Sequence, residues 1–177
     1  MIGLRAFSRS DFQRLIRWMD SPELMIQWAG PVQFRFPLDE QQLARYLQTT
    51  RSPHPTARIF TAADERGEAV GHIELGAINQ DNGTASVCRV FVDPAQRGKG
   101  IGLSMMRAIL AVGFGDLHLR RIELKVYAFN TNAIRCYEHA GFRREGVLRQ
   151  STRVGDSIWD TVLMGVLREE WKAEART

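Results

Sequence analysis

Three glycines, Gly98, Gly100 and Gly102, stand at alternate positions directly after Arg97, with Lys99 and Ile101 between them. An apolar strand-like run precedes this turn and a helix-like run follows it. Such a turn presents free backbone N–H groups at a helix N-terminus, where the dipole favours negative charge. Glycine lets a bulky anion approach the main chain, so a phosphate or pyrophosphate is the expected guest, with Arg97 and Lys99 adding attraction. The spacing excludes two other phosphate loops. A G-x-x-x-x-G-K-[ST] loop beginning at Gly98 would need a glycine where Leu103 stands. A G-x-G-x-x-G fingerprint would need one at Leu103 or Met105. Upstream, His72 and Glu74 fall on one side of a strand, opposite Ile73 and Leu75.

Other chemistries find no support in the spacing. His72-Ile73-Glu74 has no C-x-x-C partner, as a zinc deaminase would require. His54, His72, His118 and His139 lack metal-ligand spacing, so no metal is expected. Ser104 is not in a G-x-S-x-G elbow. Cys136 reads better as a small buried residue than as a nucleophile.

The elements that must position the turn are legible as patterns. Residues 2–7 suit a first strand, and Ser10 or Asp11 caps a helix through Asp20 with Phe12, Leu15, Ile16 and Met19 on one face. Residues 21–31 form a second helical piece ended by Gly30-Pro31, and residues 39–47 a third. After the SPHP break come strands at 57–63, 69–78 and 84–92. The glycine turn then opens a helix over 101–117. RIELKVY at 121–127 alternates apolar and polar residues as a half-buried strand does. Asn130 or Asn132 caps a helix ending at Gly141, and residues 142–153 and 157–165 read as a hairpin. Helices, a meander, and alternating strands and helices make a mixed α/β sheet.

The chain has 177 residues, 44% of them hydrophobic, which suits one domain over 1–177. A net charge of +4, from 24 basic and 20 acidic residues without runs, is compatible with an anionic ligand but is no nucleic-acid footprint. Two cysteines and no apolar leader or 20-residue apolar span fit a cytoplasmic protein that neither binds nor crosses a membrane.

Arg97, Gly100 and Gly102 also satisfy R/Q-x-x-G-x-G/A, the acyl-CoA loop of the GCN5-related N-acetyltransferases (GNAT). The run Val90 to Pro94 stands before it as in that family, and Asn130, Ala133, Tyr137, Glu138, Gly141 and Phe142 match its second motif. The chain therefore resembles a GNAT over most of residues 57–171, with an acyl-CoA-binding core at about 84–142. The C-terminal EGVLRQ, D-x-x-W-D-x-V-L-M and LREEW resemble the branch typified by ribosomal-protein N-terminal acetyltransferases. That branch also contains enzymes acting on polyamines, amino acids and antibiotics.

The resemblance implies a mixed sheet splayed open at its centre, beside the strand ending at Val92. Acetyl-CoA would enter the gap, its arm pairing with Val90, Phe91 and Val92, its pyrophosphate on amides of Arg97, Gly98, Lys99, Gly100, Ile101 and Gly102, and Asn130 bonding the arm. It implies direct attack of an amine on the thioester. Tyr137 would be the acid that protonates the thiolate, its phenol suited to that transfer. Glu74 would be the base, with His72 behind it, and a bulk-water route with no dedicated base stays open. Trp28, His72, Trp159 and Asp160 would line the amine pocket. The expected partners are coenzyme A and an amine acceptor, and a homodimer is compatible with the pattern. Three functions stay open: acetylation of a small primary amine, acetylation of a protein N-terminus such as that of a ribosomal protein, or an idle acyl-CoA-binding module.

Overall fold

The alternation in RIELKVY buries Ile122, Leu124 and Val126 and leaves Glu123 and Lys125 exposed, which makes this strand the middle of a one-sided sheet. The computed structural model describes residues 2–53 and 55–171; His54 of the SPHP break and residues 172–177 of the polar tail lie outside them. In chain order the elements are β1 (Gly3–Ala6), α1 (Phe12–Trp18), α2 (Pro22–Ala29), α3 (Glu40–Gln48), β2 (Arg58–Ala63), β3 (Ala69–Asn79) and β4 (Thr84–Val92). They continue with α4 (Ile101–Leu110), β5 (Arg121–Tyr127), α5 (Thr131–His139), β6 (Arg143–Val154) and β7 (Ser157–Leu167).

The sheet order is β1-β2-β3-β4-β5-β7-β6. All neighbours are antiparallel except β4 and β5, which run parallel. That one parallel pairing spans only Thr84–Val87 against Arg121–Leu124, so residues 88–92 of β4 diverge from β5. The expected mixed sheet with a central splay is the observed one.

Each face of the sheet carries its own apolar cluster. Ile73, Leu75, Val87, Ile122 and Leu124 pack with Met105, Ile109 and Phe114 on the side of α4. Phe7, Trp28, Phe34 and Tyr46 pack with Ile59 and Phe91 on the side of α1 to α3. Local chemistry sets the helix ends. Ser21 Oγ accepts from the Leu24 amide at 3.3 Å with Pro22 in the first turn of α2, and Asp39 Oδ1 accepts from the Gln42 amide at 2.7 Å at the start of α3.

Two elements differ from expectation. The helix after the glycine turn is α-helical only to Leu110 and continues as a π turn over Ala111–Asp116, closed by Leu117 N–H donating to Val112 O at 3.0 Å. Its Gly113 lies against Ile122 so closely that a Cβ would stand 2.3 Å from Ile122 Cδ1. The first helix starts after Asp11 as expected but ends at Trp18, short of Asp20, and the buried Asp11 side chain does not cap it, taking donors instead from Arg5 at 2.6 and 2.8 Å and from the Ser8 amide at 3.0 Å. Among the described residues no helix is long and apolar enough to cross a membrane.

Candidate active site

The splay between β4 and β5 opens into a cavity of about 780 Å³. Its floor is the free end of β4, its far wall is α5, and the glycine turn closes one end. Gly98 and Gly100 have φ of 78° and 75°, a left-handed backbone that ordinary side chains rarely adopt. Gly102 has no such backbone constraint: a Cβ there would stand in ordinary contact with Cys136 Sγ at 3.4 Å and Val92 Cγ2 at 3.7 Å, on the cavity wall. Among the described residues, the amides of Gly98 to Leu103 have no hydrogen-bond acceptor, while the Ser104 amide already donates to Gly100 O. A cradle of unpaired N–H groups at the start of a ten-residue helix fits a diphosphate.

Val90, Phe91 and Val92 line the cavity, as do Arg97, Gly98, Gly100, Ile101, Gly102 and Asn130. Arg97 folds back, donating through Nε to Val92 O at 3.3 Å with its guanidinium 5.4 Å from the Phe91 ring centre. Lys99 is not among the lining residues; its Nζ donates to Gln96 Oε1 at 2.8 Å, so it contributes charge from outside. Asn130 caps α5, Oδ1 accepting from the Ala133 amide at 3.3 Å.

Tyr137 lines the same cavity from α5 and is only 9% exposed. Burial holds its phenol well above the ordinary range, with the neighbouring Cys136 adding to the effect. The group therefore stays protonated through neutral pH and is available as a donor.

The other expected groups are placed differently. His72 is 1% exposed, edge-on to the rings of Phe7 at 4.9 Å and Trp28 at 5.5 Å, and does not line the cavity. Burial, with Arg89 nearby, depresses its imidazole to about 3, so it is neutral at pH 7. It is a core residue of the α1–α3 side. Glu74 is 5% exposed and also absent from the lining. Its Oε2 accepts from Tyr46 Oη and from Arg89 Nη1, the latter at 2.5 Å. Trp28 does line the cavity, and its Nε1 donates to Arg89 O at 2.9 Å. Trp159 joins Tyr127 and Phe129 in an aromatic trio, with ring centres 4.9 and 4.8 Å away, off the cavity wall. Asp160 Oδ1 accepts from the Gln150 amide at 2.7 Å and serves the hairpin.

Leu24 and Gln27 of α2 line the cavity unannounced by any sequence signal beyond their helix, and Cys136 of α5, expected to be buried, is half-buried and lines it too. Arg89 did leave one. Ala85 and Val87 face the α4 core, and strict alternation would send residue 89 there too, which no unpaired arginine tolerates. The structure resolves the conflict with a bulge, described below. Among the described residues, no Asp or Glu lines the cavity, and no group of three or more His, Cys, Asp or Glu side chains could hold a metal ion.

This geometry has relatives. A prophage-derived N-acetyltransferase of Bacillus subtilis, YokL, is 32% identical over 64% of this chain and 63% of its own length, so the chain spans under two thirds of that relative. The aminoglycoside N(6')-acetyltransferase type 1 of Klebsiella pneumoniae is 26% identical over 83% of this chain and 76% of its own. Among solved structures, the spermidine N-acetyltransferase of Vibrio cholerae, in complex with CoA and spermine, superimposes with a TM-score of 0.83 at 25% identity, covering 96% of each chain. These likenesses overturn the expected placement beside ribosomal-protein N-terminal acetyltransferases and point to the polyamine-acetylating branch instead. Within the C-terminal motifs that suggested that placement, Asp160 serves the β6–β7 hairpin and Trp159 packs on Tyr127 and Phe129, and neither lines the cavity. The pattern of the acetyltransferase (GNAT) family matches residues 16–142, and the chain belongs to that family.

Proposed function

We propose that this enzyme transfers the acetyl group of acetyl-CoA to a primary amine of a small molecule, in the manner of polyamine and aminoglycoside acetyltransferases. The observation that carries the reading is the cavity itself. A strand end released from its neighbour, a row of unpaired amides at residues 98–103 and a buried phenol converge on one space.

Bound acetyl-CoA supplies the thioester carbonyl that the amine attacks; one C–N bond forms, one C–S bond breaks, the amine loses a proton and the thiolate gains one. The chain supplies alignment and charge stabilisation. The amides of Gly98, Gly100, Ile101 and Gly102 hold the diphosphate, with Arg97 and Lys99 as attracting charges. The free edge of Val90 and Val92 lies along the arm like a neighbouring strand, and the Val90 N–H is the donor for the acyl oxygen. Asn130 fixes the arm from α5. Tyr137 gives its proton to the departing sulfur.

Among the described residues the lining carries no carboxylate, so these residues offer an entering ammonium no counter-charge. Desolvation there favours the neutral, nucleophilic amine. A second cationic group of the acceptor belongs outside the cavity, where the Tyr127–Phe129–Trp159 trio presents aromatic faces beside the turn that delivers Asn130. The free thiols of Cys88 and Cys136 support a reducing compartment, the cytoplasm.

Following thiol release from acetyl-CoA over a panel of spermidine, spermine, kanamycin and free amino acids tests this. Turnover of a polyamine or aminoglycoside is the expected result. Thiol release with none of these acceptors, despite tight coenzyme A binding, would refute it.

A further inference from the structure

The chain leaves its ladder at one place inside the site. Glu74 pairs with Cys88 and His72 with Phe91, so Arg89 and Val90 together oppose the single residue Ile73. This is a β-bulge, and Arg89 holds it with φ of 50°. An arginine gains nothing by itself from a left-handed backbone, so the conformation must be fixed from outside.

Four elements grip it. From β3, Glu74 Oε2 accepts from Arg89 Nη1 at 2.5 Å. From α3, Tyr46 donates to the same carboxylate and lies with its ring centre 5.2 Å from the guanidinium carbon. From α2, Trp28 Nε1 donates to the Arg89 carbonyl at 2.9 Å. From the loop between α2 and α3, Gln33 Oε1 accepts from Arg89 Nη2. The next residue is Val90, the donor assigned to the acyl oxygen. The bulge turns Arg89 away from the α4 core and sends Val90 and Val92 to the cavity wall.

We propose that Arg89 is the positioning residue that sets the Val90 amide against the acyl carbonyl, and that Glu74 and Tyr46 are struts for Arg89. The proposal rests on the acetyl-CoA reading above. It gives Glu74 a task other than proton abstraction: its carboxylate is buried, with Arg89, 11% exposed at the side chain, as its charge partner, and releasing Arg89 would leave that buried charge uncompensated. The titratable groups facing Glu74 are Tyr46, Arg89 and Cys88, with His72 behind Tyr46; the Cys88 thiol is held up to about 11 by burial and by Glu74. None of these groups passes a proton to the cavity near neutral pH.

The test pairs amide spectroscopy of the ¹⁵N-labelled chain with steady-state kinetics on acetyl-CoA and spermidine. In the unaltered enzyme, acetyl-CoA should shift the amides of Gly98 to Gly102 and of Val90 together. In Arg89→Met the loop amides should still respond while the Val90 response is lost. Turnover should fall by about 10- to 100-fold with KM for acetyl-CoA changed less than about threefold. Arg89→Lys, which keeps the charge but loses the fork, should recover only part of the rate. The double variant Arg89→Met with Glu74→Gln removes both buried charges and guards against simple misfolding; it should be no slower than Arg89→Met alone. A normal Val90 response and normal turnover in Arg89→Met would overturn the proposal. So would a Glu74→Gln change that abolishes turnover in both backgrounds and erases the ascending limb of the pH–rate profile, the signature of a base. Silence of the loop amides in the unaltered enzyme would strike the acetyl-CoA reading itself, and the proposal with it.

Discussion

Tyr137 is the acid of the proposed transfer, because it is the one buried phenol that faces the cavity without an acceptor among the described residues. Tyr137→Phe should lower turnover by about one to three orders of magnitude with coenzyme A affinity unchanged, as measured by thiol release and calorimetry. An unchanged rate would remove Tyr137 from proton transfer. His72 makes a different prediction. Its folded pKa lies near 3, below the ordinary 6.5, because the ring is buried. Above pH 6.5 both folded and unfolded states hold it neutral. As pH falls below 6.5 the unfolded chain takes up a proton that the native state refuses until about pH 3, so stability falls through that window. The decline from this group is roughly 1.4 kcal/mol per pH unit at most. Urea unfolding at pH 7.5, 6 and 5 should show it, and His72→Gln should have a shallower slope.

At the scale of elements, the glycine turn and the bulge differ in how they are specified. The turn was legible from residue types, since Gly98 and Gly100 take positive φ. Gly102→Val should abolish coenzyme A binding in calorimetry, since the added atoms crowd the cradle between Cys136 and Val92. The bulge was not legible, because a left-handed arginine is sustained by partners 15 to 61 residues away that no local pattern announces. The one trace was a charge where alternation demands an apolar side chain. Gly71 secures the same place from β3: a Cβ there would meet the Phe91 carbonyl and Met105 Sδ, each at 2.7 Å. Gly71→Ala must push β4 or α4 outward, a loss of about 1–3 kcal/mol by urea unfolding. The strands themselves were readable because burial alternates along them. The C-terminal hairpin misled for the opposite reason, since its polar residues answer to strand pairing and not to the acceptor.

The whole molecule consists of two half-sheets, β1 to β4 and β5 to β7, joined across only four residue pairs at Thr84–Val87 and Arg121–Leu124. Beyond Val87 the halves part, and the cavity takes residues from both: Trp28, Val90 and Val92 from one, Asn130 and Tyr137 from the other. A ligand filling this gap must bridge the halves. Binding to the native state alone stabilises it by about 2.7 kcal/mol when the ligand is a hundredfold above Kd. That gain should be distributed by geometry. Residues 88–92 of β4 have no β5 partner, and in the first turn of α5 the Asn132 amide has no acceptor among the described residues, so the β4 amides that face the splay and that of Asn132 should exchange hydrogen readily in the free protein. Coenzyme A should slow exchange at both places as well as in the glycine turn, and Gly102→Val should lose all three effects together. Protection confined to the turn would mean that the diphosphate binds while the arm stays outside the splay. Acetyl transfer could not then occur where Val90 and Tyr137 converge, so hydrogen exchange separates a bridging ligand from one held only at its phosphates.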